Sequence, residues 1–156
     1  MAKKVHTNKK VVAKLSTRTP SLNALRKKAW RLMSLYVRQS ESDQHGYVRC
    51  VSCGAYSRWE SMHGGHYIHA GSRGRDKNAV SYDFRNIHSQ CLPCNYFDQD
   101  DAKHKYSIFM RNKYGEGIDD ELRAIKRNSN LRYGDFERIV DDLENRLEQL
   151  DRKKAA

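Results

Sequence analysis

The first forty residues contain no aspartate and no glutamate. They do hold eleven basic residues: Lys3, Lys4, Lys9, Lys10, Lys14, Arg18, Arg26, Lys27, Lys28, Arg31 and Arg38. The other 116 residues carry 19 charges of each sign, so the whole net charge of +11 belongs to this one segment. A surplus serving solubility alone would be spread over the chain, whereas a concentrated one suits phosphate tracking and predicts DNA as partner. The alternatives are a basic tail that is merely solvated, and an anionic membrane surface. The latter fits less well because nothing before Leu22 offers a strongly apolar face. Also missing are an apolar run near the ~20 residues that span a bilayer, a signal peptide and any internal repeat. These absences lead us to expect a soluble protein of the bacterial cytoplasm.

Apolar residues are scarce, at 38% of 156, which predicts one domain with a thin core plus a tail or extra helices. Cysteine is scarcer still, yet the four present fall as Cys50-x-x-Cys53 and Cys91-x-x-Cys94. Each pair lets two sulfurs of one tight turn reach one ion, and two such turns complete a closed tetrahedral Zn²⁺ site. Disulfides are the competing use, disfavoured in a reducing compartment. Metal bound only by the folded state adds its binding energy to stability, which offsets a thin core. The 37 residues between the pairs exceed the roughly 15 to 20 of a simple zinc ribbon, so further structure is built inside the loop.

That loop contains Gly64-Gly65-His66-Tyr67-Ile68-His69 and Asn86, and Asn95 directly follows the second pair. Phosphodiester hydrolysis needs a base to activate water, a cation to neutralise developing charge and a rigid scaffold for both. His66 suits the base, since imidazole titrates near neutrality. Asn95, placed at the start of a helix, offers a side-chain oxygen to Mg²⁺. Asn86 can hydrogen-bond the backbone that carries the histidine, a positioning role. Taken singly, each has a plainer reading: a packed histidine, a turn asparagine and a helix cap.

Residues 1–20 read as a flexible basic arm. Over 22–39 the positions Leu22, Leu25, Ala29, Leu32, Met33, Tyr36 and Val37 recur at three and four, predicting an amphipathic helix capped by Pro20 or Ser21 within a segment 21–41. Its other face carries Arg26, Lys27, Arg31 and Arg38, available to DNA backbone. Tyr47-Val48-Arg49 and residues 86–89 read as short strands, and Gly54 suits a tight turn. Residues 71–83 read as an exposed loop whose Arg73, Arg75 and Lys77 meet phosphates. A nuclease core over 45–115 is followed by a helical region over 118–156. There Phe136, Val140, Leu143, Leu147 and Leu150 form a coiled-coil-like seam, serving either dimerisation or packing on its own domain.

Together these residues resemble the HNH endonucleases of the ββα-metal class, in the version embedded between two zinc turns, with Asn95 in the third motif position. More narrowly, the chain resembles the bacteriophage NinG (Rap) family of recombination endonucleases. The likeness runs from the 22–38 helix through Tyr47 to Gly54, Gly65-His66-Tyr67, Arg85 to Cys91 and Cys94-Asn95. It implies a mostly helical α+β fold, with a zinc-stapled ββα core flanked by a basic N-terminal helix and C-terminal helices. It also implies cleavage of Holliday junctions and D-loops using Mg²⁺ or Mn²⁺. Symmetric junction cutting needs two active sites, hence an expected homodimer. Many HNH enzymes carry an acidic metal ligand just before the histidine, where this chain has Gly65. His63, His69, His88 and Gln99 are the candidates to supplement Asn95. Competing functions are a sequence-selective or nonspecific nicking enzyme and a zinc-finger DNA-binding protein without catalysis.

Overall fold

The computed structural model describes residues 19–69, 78–97 and 99–155. The first helix, α1 (Leu22–Ser40), starts where Ser21 turns extended and its hydroxyl accepts the Ala24 N–H at 3.2 Å, satisfying one orphan donor of the first turn. Its apolar stripe (Leu25, Ala29, Leu32, Met33, Val37) is buried against α5 (Tyr133–Ala155), which contributes Phe136, Val140 and Leu143. At roughly 1.5–3 kcal/mol for each large side chain taken from water, this contact is the main source of core stability. The three-and-four seam of α5 is therefore covered by α1 of the same chain. Polar ties close both ends: the Tyr133 hydroxyl donates to the Pro20 carbonyl at 3.0 Å, and Lys154 Nζ donates to the Gln39 carbonyl at 2.9 Å.

Between these helices lie two short antiparallel ribbons. β1 (Tyr47–Arg49) pairs with β2 (Tyr56–Arg58), setting Tyr47 opposite Arg58 and Arg49 opposite Tyr56. The first cysteine turn joins them, and Gly54 there has φ +76°, a left-handed conformation that glycine adopts without steric cost. β3 (His63–His66) pairs with β4 (Ile87–Gln90), placing Gly65 opposite His88 and His66 opposite Ile87. The five-residue α2 (Leu92–Tyr96) follows β4 and completes a ββα unit. α3 (Gln99–Tyr114) and α4 (Ile118–Asn128) then bury Tyr106, Met110, Ile118 and Leu122 with Ile68 and Val80 in a second core. The molecule is thus a mostly helical α+β fold, and no described helix is long and apolar enough to cross a membrane.

Several expectations change. The helix behind the second cysteine pair starts at Leu92, not Asn95, because Cys91 takes the N-cap and Pro93 fits the first turn, so the C-x-x-C turn is itself helical. Residues 79–82 form a short helical turn with Val80 and Ser81 buried rather than an exposed loop. Arg26 is buried and bonded to Asn23 Oδ1, and Arg38 is spent on the protein: its guanidinium donates to the carbonyls of Ser34, Trp59 and Met62. Burial lowers the Arg38 pKa, with Glu60 acting in the opposite sense. Lys27 and Arg31 do remain exposed on α1. Lys9, Lys10, Lys14, Arg18, Arg73, Arg75 and Lys77 lie outside the described residues.

Candidate functional site

The four cysteine sulfurs lie within 4.8 Å of one another, and those of Cys53 and Cys91 are 3.7 Å apart. Tetrahedral zinc with bonds of about 2.3 Å separates its sulfurs by about 3.8 Å, so the donor set fits. Burial would push the Cys50 thiol up, but backbone N–H groups of Cys53, Cys91 and Ser52 aimed at its sulfur bring it down to about 7. Those N–H groups favour the thiolate that a metal requires. Val51 N–H also donates to the Ser89 carbonyl at 2.9 Å, tying the first cysteine turn to β4.

β4 in turn carries the partner of β3, and β3 ends in His66. The His66 ring stacks on the Trp30 indole of α1, centroids 4.6 Å apart at 18°. Its Nε2 lies 3.1 Å from the Ser81 carbonyl oxygen. A carbonyl only accepts, so Nε2 holds the proton, and Nδ1 is the nitrogen able to take another. The strand beneath is pinned by the buried Tyr106 hydroxyl, which donates to the Gly65 carbonyl at 2.9 Å.

Asn86 is fully buried and positions this segment, as its sequence context suggested. Its Oδ1 accepts the Ile68 N–H at 2.7 Å, and its Nδ2 donates to the carbonyls of Ile68 (3.0 Å) and Val80 (2.9 Å). One carboxamide thereby fixes both the chain leaving His66 and the turn that presents the Ser81 carbonyl. Asn95 is half-buried inside α2, not at its first turn. α2 meets β3 through Tyr96, whose ring is edge-on to His63 at 5.5 Å, so Asn95 and His66 ride on neighbouring elements of the cysteine-tied unit.

The candidates for a supplementary metal ligand separate clearly. His88 is removed: its Nδ1 pairs with Glu41 and its Nε2 lies 3.2 Å from the Tyr114 hydroxyl, with the ring packed against Phe109. Burial pushes the Glu41 carboxyl up, but hydrogen bonds from His88 and the Ser89 N–H outweigh it and hold it below the ordinary value. His63 faces Tyr96, His69 is exposed with its carbonyl accepting from Lys126, and the Gln99 side chain lies outside the described set. Gly65 is glycine for a steric reason: a Cβ there would fall 1.8 Å from Gln90 Oε1. Gln90 is buried, with Nε2 donating to Ser52 Oγ at 2.8 Å.

Trp30, Ser81 and Glu41 escaped the reading of the sequence. Trp30 offered one signal, an indole between the apolar stripe of α1 and exposed Lys27 and Arg31.

A family model described as "Bacteriophage Lambda NinG protein" matches residues 2–153. The chain is similar to Protein ninG of Escherichia phage 933W, at 26% identity over 109 residues covering 64% of this chain and 50% of that protein. The same figures hold for Protein ninG of Enterobacteria phage VT2-Sa. The chain thus spans about half the length of these curated relatives. No solved structure matches.

Proposed function

Because the chain belongs to the bacteriophage lambda NinG family, we propose that it is an HNH-type endonuclease that cleaves branched DNA, such as Holliday junctions and D-loops, during phage recombination. The observation carrying this reading is His66: a ring clamped by Trp30 on one face, its Nε2 proton committed to the Ser81 carbonyl, on a ribbon that the cysteine cluster tethers. Fixing the tautomer leaves Nδ1 to draw a proton from water as it attacks phosphorus in line, with expulsion of a 3′ oxygen. The products would carry a 5′ phosphate and a 3′ hydroxyl. A Mg²⁺ or Mn²⁺ ion would supply charge neutralisation at the leaving oxygen when bound, and Asn95 is the residue that would hold it. Zn²⁺ in the cysteine cluster is structural. Lys27 and Arg31, either side of Trp30 in sequence, would grip the backbone without reading bases. Paired cuts across a junction call for two copies of the chain.

The test is a cleavage panel with Mg²⁺: a mobile four-way junction, a D-loop and a linear duplex of the same sequence, each with parent and His66→Ala. We expect the parent to prefer the branched substrates and the variant to bind them without cutting. Equal cutting by both proteins would remove His66 from the chemistry. Equal cutting of junction and duplex would favour a nicking enzyme, and binding without cutting by the parent a non-catalytic zinc protein.

A further inference from the structure

A second surface lies on the reverse side of the β3–β4 ribbon. Side chains alternate across a strand, so His66 and Ile87 project from one face of the ribbon, Gly65 and His88 from the other. His88 and Glu41 form part of a cleft of about 890 Å³, whose outer wall is the β1–β2 ribbon. Val48 points inward and is buried, which turns Tyr47, Arg49, Tyr56 and Arg58 together onto the open face.

These four side chains form a column. The Arg58 guanidinium sits 5.8 Å from the Tyr47 ring, Tyr47 stacks on Tyr56 at 5.3 Å and 28°, and the Arg49 guanidinium lies 5.0 Å from the Tyr56 ring. Tyr47 is 37% exposed and Tyr56 53%. Both rings are thus reachable from solvent along their edges. Across the cleft, Lys113 of α3 lies 5.2 Å from both the Phe109 and Tyr114 rings. The carboxylates nearby are already engaged, Asp43 by the Tyr56 hydroxyl and the N–H groups of His45 and Tyr47, Glu41 by His88 and Ser89. Among the described residues, Arg49 and Lys113 form no ion pair. The cleft therefore sets aromatic rings and a guanidinium plane beside Lys113, with the carboxylates of Glu41 and Asp43 drawn back into hydrogen bonds of their own; recognition of a planar base by stacking comes first here and phosphate contact second.

We propose that this cleft binds unpaired nucleotides of a DNA strand: bases stack on the Arg49 end and the exposed ring edges of the Tyr47–Tyr56 column while Lys113 contacts a phosphate. The inference goes beyond the nuclease reading but shares its DNA partner. It places a single-stranded segment on the face of the β3–β4 ribbon opposite His66, where a strand freed at a branch would be held apart from the one being cut.

The test uses the whole zinc-loaded protein without Mg²⁺ and measures anisotropy of three probes of about fifteen units, within the usual single-strand site range: oligothymidylate, an abasic strand of equal charge, and duplex. The parent should bind oligothymidylate at least tenfold tighter than the abasic strand. The Tyr47→Ala/Tyr56→Ala variant should lose that preference while duplex binding stays within twofold, and Tyr47→Phe/Tyr56→Phe should retain it. Equal affinity of the parent for thymidylate and abasic strands would overturn the proposal, as would an unchanged preference in the alanine variant. Should alanine unfold the ribbon, seen as lost zinc, photocrosslinking of 5-iodouracil oligonucleotide to the parent decides: adducts at Tyr47 or Tyr56 support the site, adducts elsewhere alone refute it. His66→Ala should bind all three probes like the parent. Abasic-sensitive binding by a protein that cuts nothing would uphold this site and sink the nuclease reading; cutting without base preference would do the reverse.

Discussion

Trp30 and His66 lie face to face, 4.6 Å apart, although they sit on different elements and are separated by the whole first ribbon. The indole restrains imidazole tilt, and the Ser81 carbonyl restrains rotation in the ring plane. Both restraints come from residues that need not touch DNA.

If His66 is the base of a nuclease, Trp30 is its positioning residue. Replacing it with alanine should lower kcat by ~10- to 100-fold, the scale of a small misplacement of a reacting group, with little change in KM. Trp30→Phe, which preserves a flat ring, should restore most of the rate. Steady-state cleavage of a four-way junction checks this; a loss confined to KM would instead make Trp30 a DNA contact.

Restoring an acid before the histidine should fail. Gly65→Asp drives a side chain into Gln90 Oε1, which can yield only by breaking its contact with Ser52. Overpacking of this kind costs about 1–3 kcal/mol, so thermal unfolding should shift downward without tighter Mg²⁺ binding. Gly65→Ala should cost less in a Gln90→Ala background, a coupling readable by a double-mutant cycle.

Removing the metal should dissolve the site rather than merely weaken it. The cysteine cluster joins the turn after β1 to the start of α2, and structural zinc contributes on the order of 10 kcal/mol. Cys53→Ser, or exhaustive chelation, should release the bound zinc and abolish cleavage together with cooperative unfolding. Metal quantification beside calorimetry measures both.

Glu41 gives the protein an acid-sensitive joint. Its carboxyl is held below the ordinary value of about 4.5 by His88 and Ser89, against burial. The stabilisation is therefore whole above that value and drains away as pH falls through the lowered one. Glu41→Gln should cost about 1–3 kcal/mol at neutral pH, and the gap between variant and parent should close on acidification. Denaturant titrations at several pH values reveal whether the two curves converge.

What could be read from the chain alone follows the range of each interaction. The cysteine pairs, the α1 stripe and the α5 seam are local patterns, and each element forms where its spacing puts it. Asn86 was legible as a backbone anchor because a carboxamide brings both a donor and an acceptor to the main chain of the histidine loop. Trp30, Glu41 and Gln90 were not, since their partners His66, His88 and Gly65 lie across ribbon pairings that no local period reports. The start of α2 was misplaced because a cysteine turn followed by Asn95 looks like a cap, whereas Pro93 already belongs to the helix. Arg38 was assigned to solvent by helical phase, but the carbonyls of Trp59 and Met62 drew it inward.

The cover of α1 has a temporal side. Its apolar stripe meets Phe136, Val140 and Leu143, more than a hundred residues downstream, and such distant closure is slow and late. Until α5 has left the ribosome, the helix bearing Trp30 leans only on the β3–β4 ribbon and the turn before it. The indole behind the imidazole is then held from one side only, so the His66 ring should gain its full rigidity only after α5 has docked.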